Sequence, residues 1–541
     1  AIHKGRSRQR TLTIWVYLTA LKPGVSQLPP TGQACLDQIN GRTKWSDRSL
    51  EESDFFWMWS YGMRSGPIGD PAPIAQAPTE KRIEIATDLE KRDVLNQADA
   101  WRVYSKHDPE GALEAAISAN DVTAHSERWR DVLWAIVEIG DTTDPAKTRG
   151  RALSSKAFDF LCKEDATRLA QLAHPLVDLY AYAIKTNTPL DDSVWDLLWQ
   201  VSLADQRAYL SQQTREDPGY ELISHAINSP AGKLARMMIN HLGPPWQQLT
   251  QQQQERIRER FKLAIGTASI SGAMARAVIV EFIAWLNASL PELLDDHLLP
   301  HLLADHPEAM ALRSIFVSMS QSVGPALRAK LREPLLRGVA EYRGESVSAE
   351  NAASRLVAYV GDDLHRPATD PARLKPGQAR AVLTAAPTHM SAAAAEVMAD
   401  WLVAPNDRPA HERWRNEFGP IFKVMWPADK LSQTRQASVA LAKLAVSAGD
   451  AFPEALDVVA PYIVPLNEDW PSVFFAARQE ALPIADRFPR QMLELLWRLL
   501  KPAQRGQSHD LSQVLDRIAA AAPSLVRDRR FQLLQTRAMR L

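Results

Sequence analysis

Along most of this chain hydrophobic residues recur at three- and four-residue spacings, the period of a helix with one apolar face. Trp129, Val132, Leu133, Ile136 and Ile139 follow Ser126, a good N-cap, and stop at Gly140, a good residue just past a helix end. Similar stripes are Trp195, Leu198 and Trp199; Val278, Phe282, Trp285 and Leu286; Val397, Trp401 and Leu402; and Ala437, Leu441, Leu444 and Ala448, the last closed by Gly449. No comparable set of alternating strands is present, so the predicted class is all-α.

A second pattern recurs: a turn residue or aromatic, then proline, then usually an acid, then apolar periodicity. It appears at Asp108-Pro109-Glu110, Leu290-Pro291-Glu292, His306-Pro307-Glu308, Phe452-Pro453-Glu454 and, with a basic third residue, Phe488-Pro489-Arg490. Proline suits a first helical turn because its missing N–H would be unsatisfied there, and glutamate in that turn complements the helix dipole. Each segment therefore predicts a helix start. The spacings are irregular, which points to loosely repeated helical hairpins in a HEAT-like, irregular α-solenoid, each pair contacting mainly its neighbours. Breaks are expected near Gly243 to Pro245, Gly361 to Gly377 and Pro405 to Pro409.

Residues 1–80 read differently. Thr11 to Leu18 could form a strand or a short helix; Phe55, Phe56, Trp57, Trp59 and Tyr61 then precede a proline-rich stretch, Ser65 to Pro78, that reads as a linker or draped loop. The expected division is an N-terminal segment (1–80), a first helical array (81–365) and a C-terminal array (366–541).

Length agrees, because 541 residues exceed one ordinary compact core at roughly 150 per domain. With 63 Lys+Arg against 64 Asp+Glu, net charge −1 removes any global electrostatic case for nucleic acid or an anionic membrane. Hydrophobic residues at 45% and charged residues at 23% are the proportions of a folded protein. Cys35 and Cys162 cannot build a disulfide scaffold or a four-thiolate metal site, so a cytoplasmic setting is expected. No stretch of about 18 apolar residues occurs, and the nearest, Ala381 to Ala395, holds Pro387 and His389, so no transmembrane helix is expected. The start, Ala1-Ile2-His3-Lys4, has neither methionine nor a signal peptide, and suggests a fragment of something longer.

Candidate chemistry is sparse. Ser229-Pro230-Ala231-Gly232-Lys233-Leu234 brings glycine and lysine to a helix start, but a phosphate-binding P-loop needs glycine at Ile227 and Ser or Thr at Leu234. A capped helix start is the better reading. His297 and His301 could share a helix face, with Asp305 or His306 completing a zinc site; against it, Pro300 interrupts that helix and no glutamate sits where a zinc protease needs its base. Solvated histidines at helix ends are the default. His411-Glu412-Arg413-Trp414-Arg415 has Arg415 where a second ligand histidine belongs, and reads as a helix start after Pro409. No motif calls for a cofactor. The tryptophans on stripes belong to the core, whereas Trp57, Trp59 and Trp246 could be exposed. Basic clusters at Lys4, Arg6, Arg8 and Arg10, and at Arg527, Arg529, Arg530, Arg537 and Arg540, could touch phosphate, although terminal basic runs are more often solvated.

Ala98 to Tyr104, Asp108 to Leu113, Trp129 to Trp134 and Asn228 to Leu234, with Phe488-Pro489, Met492 to Leu496, Asp510-Leu511, Val514 to Ile518, Pro523 and Arg530-Phe531 near the end, form a further set of signposts. From about residue 80 onward the chain resembles the helical region that follows the effector domain in large bacterial anti-phage defence proteins, especially those with a sirtuin-like NAD-hydrolysing domain. The resemblance implies a sensing and regulatory module. It would contact a phage component, an effector domain or a sister subunit in a homo-oligomer. Nothing like the sirtuin nucleotide-binding loop precedes residue 80, so NAD hydrolysis does not transfer to these residues. The expected function is a non-catalytic interaction module, with a nucleic-acid-binding helical protein and an enzyme with a scattered or metal site as alternatives.

Overall fold

Every regular element among the described residues of the computed structural model is helical, beyond an isolated parallel bridge between Leu466 and Leu500. Those residues are 69–92, 100–139, 144–204, 218–242, 244–318, 324–344, 346–367, 369–370, 373–375, 377–428, 433–466, 483–500 and 509–539. Lys4, Arg6, Arg8, Arg10, Cys35, Trp57, Trp59, Gly140, Gly243 and Arg540 lie outside them. No single described helix is long and apolar enough to cross a membrane.

The five proline signals all mark helix starts. Helices Pro109–Ala119, Pro291–Leu293, Pro307–Ser318 and Pro489–Leu499 begin on their prolines, and Phe452–Val459 begins one residue earlier. At the first, Asp108 caps the helix by accepting from the Gly111 N–H at 3.1 Å. Gly449 closes the helix Arg435–Ser447 region in the left-handed conformation, φ 60°. Two local readings shift. His125, not Ser126, is the N-cap of Ser126–Glu138. Trp285 leaves the core stripe because the helix Ile270–Glu281 ends at Phe282 (φ −111°) and a new short helix, Ile283–Ser289, turns Trp285 outward to 44% exposure.

The described residues fall into two compact units, one running to Glu164 and including Asp178–Leu190, the other comprising Asp165–Val177 and Asp191 onward. Positions 365 and 366 lie within the second unit. In the first unit, Ala100–His107, Pro109–Ala119 and Ser126–Glu138 pack on one another, with Asp144–Leu161 against the latter two. Trp101, Leu113, Trp129, Val132, Leu133 and Ile136 are fully buried between them, and Trp129 stacks on Phe160 with ring centres 5.5 Å apart.

The second unit contains two rows of helices. In one row Ser193–Ala204, Pro230–Ile239, Ile270–Glu281, Pro307–Ser318, Ser346–Leu364, Thr388–Val403, Arg435–Ser447 and Pro489–Leu499 each pack on the next. Their starts are about forty residues apart through Thr388, then spread further. In the other row Gln251–Gly266 packs on the segment 291–303, which packs on Arg332–Glu341, then Gln378–Ala385, then Gly419–Met425, then Phe452–Val459. Most ion pairs between helices of this unit also span one hairpin. Arg236–Glu281, Arg258–Glu292, Lys330–Asp295, Arg415–Glu454, Lys443–Asp400 and Arg530–Glu494 join residues 34 to 45 positions apart. Arg260, reaching Asp196, spans further.

Candidate functional site

An arginine in the middle of an apolar run is the least expected residue in the second unit, and the structure buries two of them to 2% exposure: Arg276, between Ala275 and Ala277, and Arg313, between Leu312 and Ser314. Each plugs the end of the preceding helix. The last carbonyls of a helix lack intrahelical donors, and Arg276 Nη1 donates to those of Ile265 and Thr267 at 2.6 and 2.9 Å. Arg313 Nη1 donates to Leu302 and Ala304 at 2.8 and 3.0 Å. The acceptors stand 11 and 9 positions before the arginine in both cases. A third copy follows the same spacing, Arg413 donating to Leu402 and Ala404.

The first two arginines are also held from the other side by a carboxylate one hairpin later. Arg276 Nε donates to Glu308 at 2.6 Å, and Arg313 Nε and Nη2 donate to Glu341 at 2.9 and 2.6 Å. Glu308 is the first-turn acid of a proline-started helix, so the local helix signal also supplies the long-range counter-ion. Each such arginine ties three helices: the one it caps, its own, and a later one that supplies the acid. Guanidinium is suited to the task because its planar donors serve two carbonyls and a carboxylate together. These groups brace the fold.

Three of the four candidate metal ligands are held by partners at these turns, and the fourth, His297, lies half-buried in the turn 294–298. Asp305 pairs with Arg337, which also donates to the Leu303 carbonyl at 2.8 Å. His306 Nδ1 accepts from the Glu308 N–H at 3.2 Å at the start of Pro307–Ser318. His301 hydrogen-bonds the Ile265 carbonyl, and burial, with Arg276 nearby, holds its pKa below the usual histidine value. Among the described residues no three His, Cys, Asp or Glu side chains gather as a metal site. Pro300 does not interrupt the helix: a π-turn, Leu294–Leu298, precedes it, with the Leu299 N–H bonding Leu294. The wider turn makes room for the proline ring and its missing donor. The same device recurs at Trp414–Phe418, just before Pro420.

Ser229 caps Pro230–Ile239 by accepting from Gly232 at 2.9 Å. Glycine is required there by close packing, since a Cβ at 232 would stand 1.9 Å from the Ala226 carbonyl oxygen. The segment 229–234 is a capped helix start. Trp195 and Trp199 are core, stacked 5.6 Å apart, and Trp246 is half-buried. Near the C-terminus Arg530 is neutralised by Asp528 and Glu494, and Arg537 is buried, which leaves Arg527 and Arg529 exposed.

The turns that the arginines lock carry unshielded apolar side chains. Leu263 and Ile270 flank the Arg276 turn at 45% and 43% exposure, and Leu303 borders the next turn at 38%. Because helix 251–266 packs on the segment 291–303 and helix 270–281 on 307–318, these residues lie on consecutive hairpins. Neither Arg276 nor Arg313 is marked by the patterns read in the sequence; the available signal was a charge inside an apolar run.

Comparison with known proteins adds a setting. No family model matches the chain, and no solved structure matches it. The chain is 29% identical over 534 residues to an uncharacterized protein, y4cA, of Sinorhizobium fredii (strain NBRC 101917 / NGR234), the match covering 99% of this chain and 43% of that protein. The chain thus spans less than half the length of the relative it resembles.

Proposed function

We propose that this chain is a non-catalytic helical-repeat module, an irregular α-solenoid, that binds a protein partner along its hairpin edge. The observation that carries the reading is the pair of arginine-locked turns, one exposing Leu263 and Ile270 and the next exposing Leu303. Rows of hairpins tied to their neighbours expose extended surfaces without a deep pocket, and an apolar strip on rigid turns is a suitable anchor for a protein surface. The match to less than half of a longer relative supports a module that works within a larger polypeptide. The resemblance noted in the sequence supplies the biological setting: the partner is a phage component or an effector domain in bacterial anti-phage defence, in the cytoplasm.

The test compares the chain with the Leu263→Asp/Ile270→Asp/Leu303→Asp variant, both immobilised and nuclease-treated, in lysates of phage-infected and uninfected bacteria. The expected result is a protein retained from infected cells by the parent and lost in the variant, with helicity and melting unchanged. Retention unaffected by the three substitutions refutes the edge as the docking surface, and NAD hydrolysis by the purified chain refutes the non-catalytic reading.

A further inference from the structure

The three arginine locks are not equal. Arg276 and Arg313 each have a carboxylate from one hairpin later, whereas no carboxylate among the described residues lies within 4 Å of Arg413, and its Nε is buried without an acceptor. The residue itself is 7% exposed. Its bonds to the Leu402 and Ala404 carbonyls are 3.2 and 3.4 Å, longer than the 2.6 to 3.0 Å of the other two. Sequence explains the difference. Glu341 and Glu308 stand 28 and 32 positions after their arginines; the same offsets from Arg413 fall on Leu441 and Ala445, both buried in the helix 435–447. Of the acids nearby, Glu417 pairs with Arg408, Glu454 with Arg415 and Asp450 with Arg487, while the adjacent Glu412 is exposed. The guanidinium instead faces the Phe418 ring, 5.3 Å from its centre.

A buried charge that lacks its counter-ion raises the free energy of the closed state, and opening the hairpin returns it to water. One neighbouring feature points the same way. The connection 404–409 is longer than the turns at 267–269 and 304–306. We propose that the hairpin formed by the helix 388–403 and the segment 410–425 is the yielding joint of the second unit, where its rows of helices open first. Arg276 and Arg313 mark the rigid stretch and Arg413 the hinge, so a partner that bends the module does so here.

Hydrogen exchange followed by mass spectrometry on the full chain tests this directly. Amides in 402–418 are expected to exchange at least tenfold faster than those in 302–318. Arg413→Met, which removes the buried charge, leaves exchange in 402–418 unchanged or slows it, while Arg313→Met speeds exchange in 302–318 at least tenfold. The proposal is overturned if 402–418 comes within tenfold of the protection of 302–318. It is equally overturned if Arg413→Met accelerates its own hairpin as much as Arg313→Met does, or fails to fold.

Discussion

Arg276→Met is the substitution that interrogates the locked turn most sharply, because methionine keeps the apolar stem and roughly the volume while deleting every donor. It removes bonds of 2.6 and 2.9 Å to the Ile265 and Thr267 carbonyls and one of 2.6 Å to Glu308. Hydrogen bonds to a charged group contribute about 1.5–3 kcal/mol each, but these three share one guanidinium and do not add. Glu308, 25% exposed, regains water when released, so its share is small. The carbonyls are the larger loss, since they end a helix whose orphan acceptors face protein, although Ile265 keeps His301 as a partner. The sum is about 3 kcal/mol, the lower part of the range for removing one member of a buried pair. At about 1.4 kcal/mol per decade this raises local opening by roughly two orders of magnitude. A chain of two compact units need not unfold in one step, so native-state hydrogen exchange over 257–281 is the appropriate assay, with urea unfolding as support. Glu308→Gln, which keeps an acceptor, is expected to cost about 1 kcal/mol. A loss below about 1 kcal/mol for Arg276→Met, with exchange unchanged in 257–281, would show that the carbonyls find other donors and that the arginine is incidental.

Acidification provides an independent check. Burial lowers the pKa values of His241, His301 and His389 in the folded state, so the unfolded chain binds protons first. Stability is then fully present above the ordinary histidine value near pH 6.5 and declines as pH falls below it; a urea midpoint flat or rising from pH 7 to 5.5 contradicts this, and His301→Gln is expected to flatten the slope. Gly232→Ala forces a methyl group against the Ala226 carbonyl and is expected to cost at least about 2 kcal/mol, read as a lowered urea midpoint; a loss under about 0.5 kcal/mol would mean that helix 230–239 shifts freely. Arg530→Gln is expected to lower stability by about 0.5–1 kcal/mol, discounted because its ion pairs are about a third exposed. An unchanged stability together with a shallower salt dependence of DNA binding would assign it to phosphate instead.

The helix starts were legible because proline, an acid and a cap act within one turn, where neighbouring residues carry all the information. Pro307 illustrates it: the residues beside it predict the start that forms. Trp285 was misplaced because a stripe presumes one straight axis, and the axis breaks at Phe282. The π-turn before Pro300 was hidden for a related reason: a proline ordinarily signals a stop, and only the widened backbone lets the helix continue. The arginine locks needed knowledge of a turn: their acceptors lie 9 and 11 positions back, across a reversal of direction, and their acids a full hairpin ahead. Nothing in a residue's immediate neighbours encodes those distances. The exposure of Leu263, Ile270 and Leu303 was equally out of reach, since which apolar residues stay uncovered depends on how successive hairpins pack.

The wiring of ion pairs over one hairpin has a consequence for descent. When a helix pair exchanges charge mainly with the pair before and the pair after, a gene segment encoding one hairpin can be duplicated or lost and the flanking pairs can re-form the same contacts. Lineages could lengthen or shorten such a module, and so change the reach of its surface, without redesigning a central core.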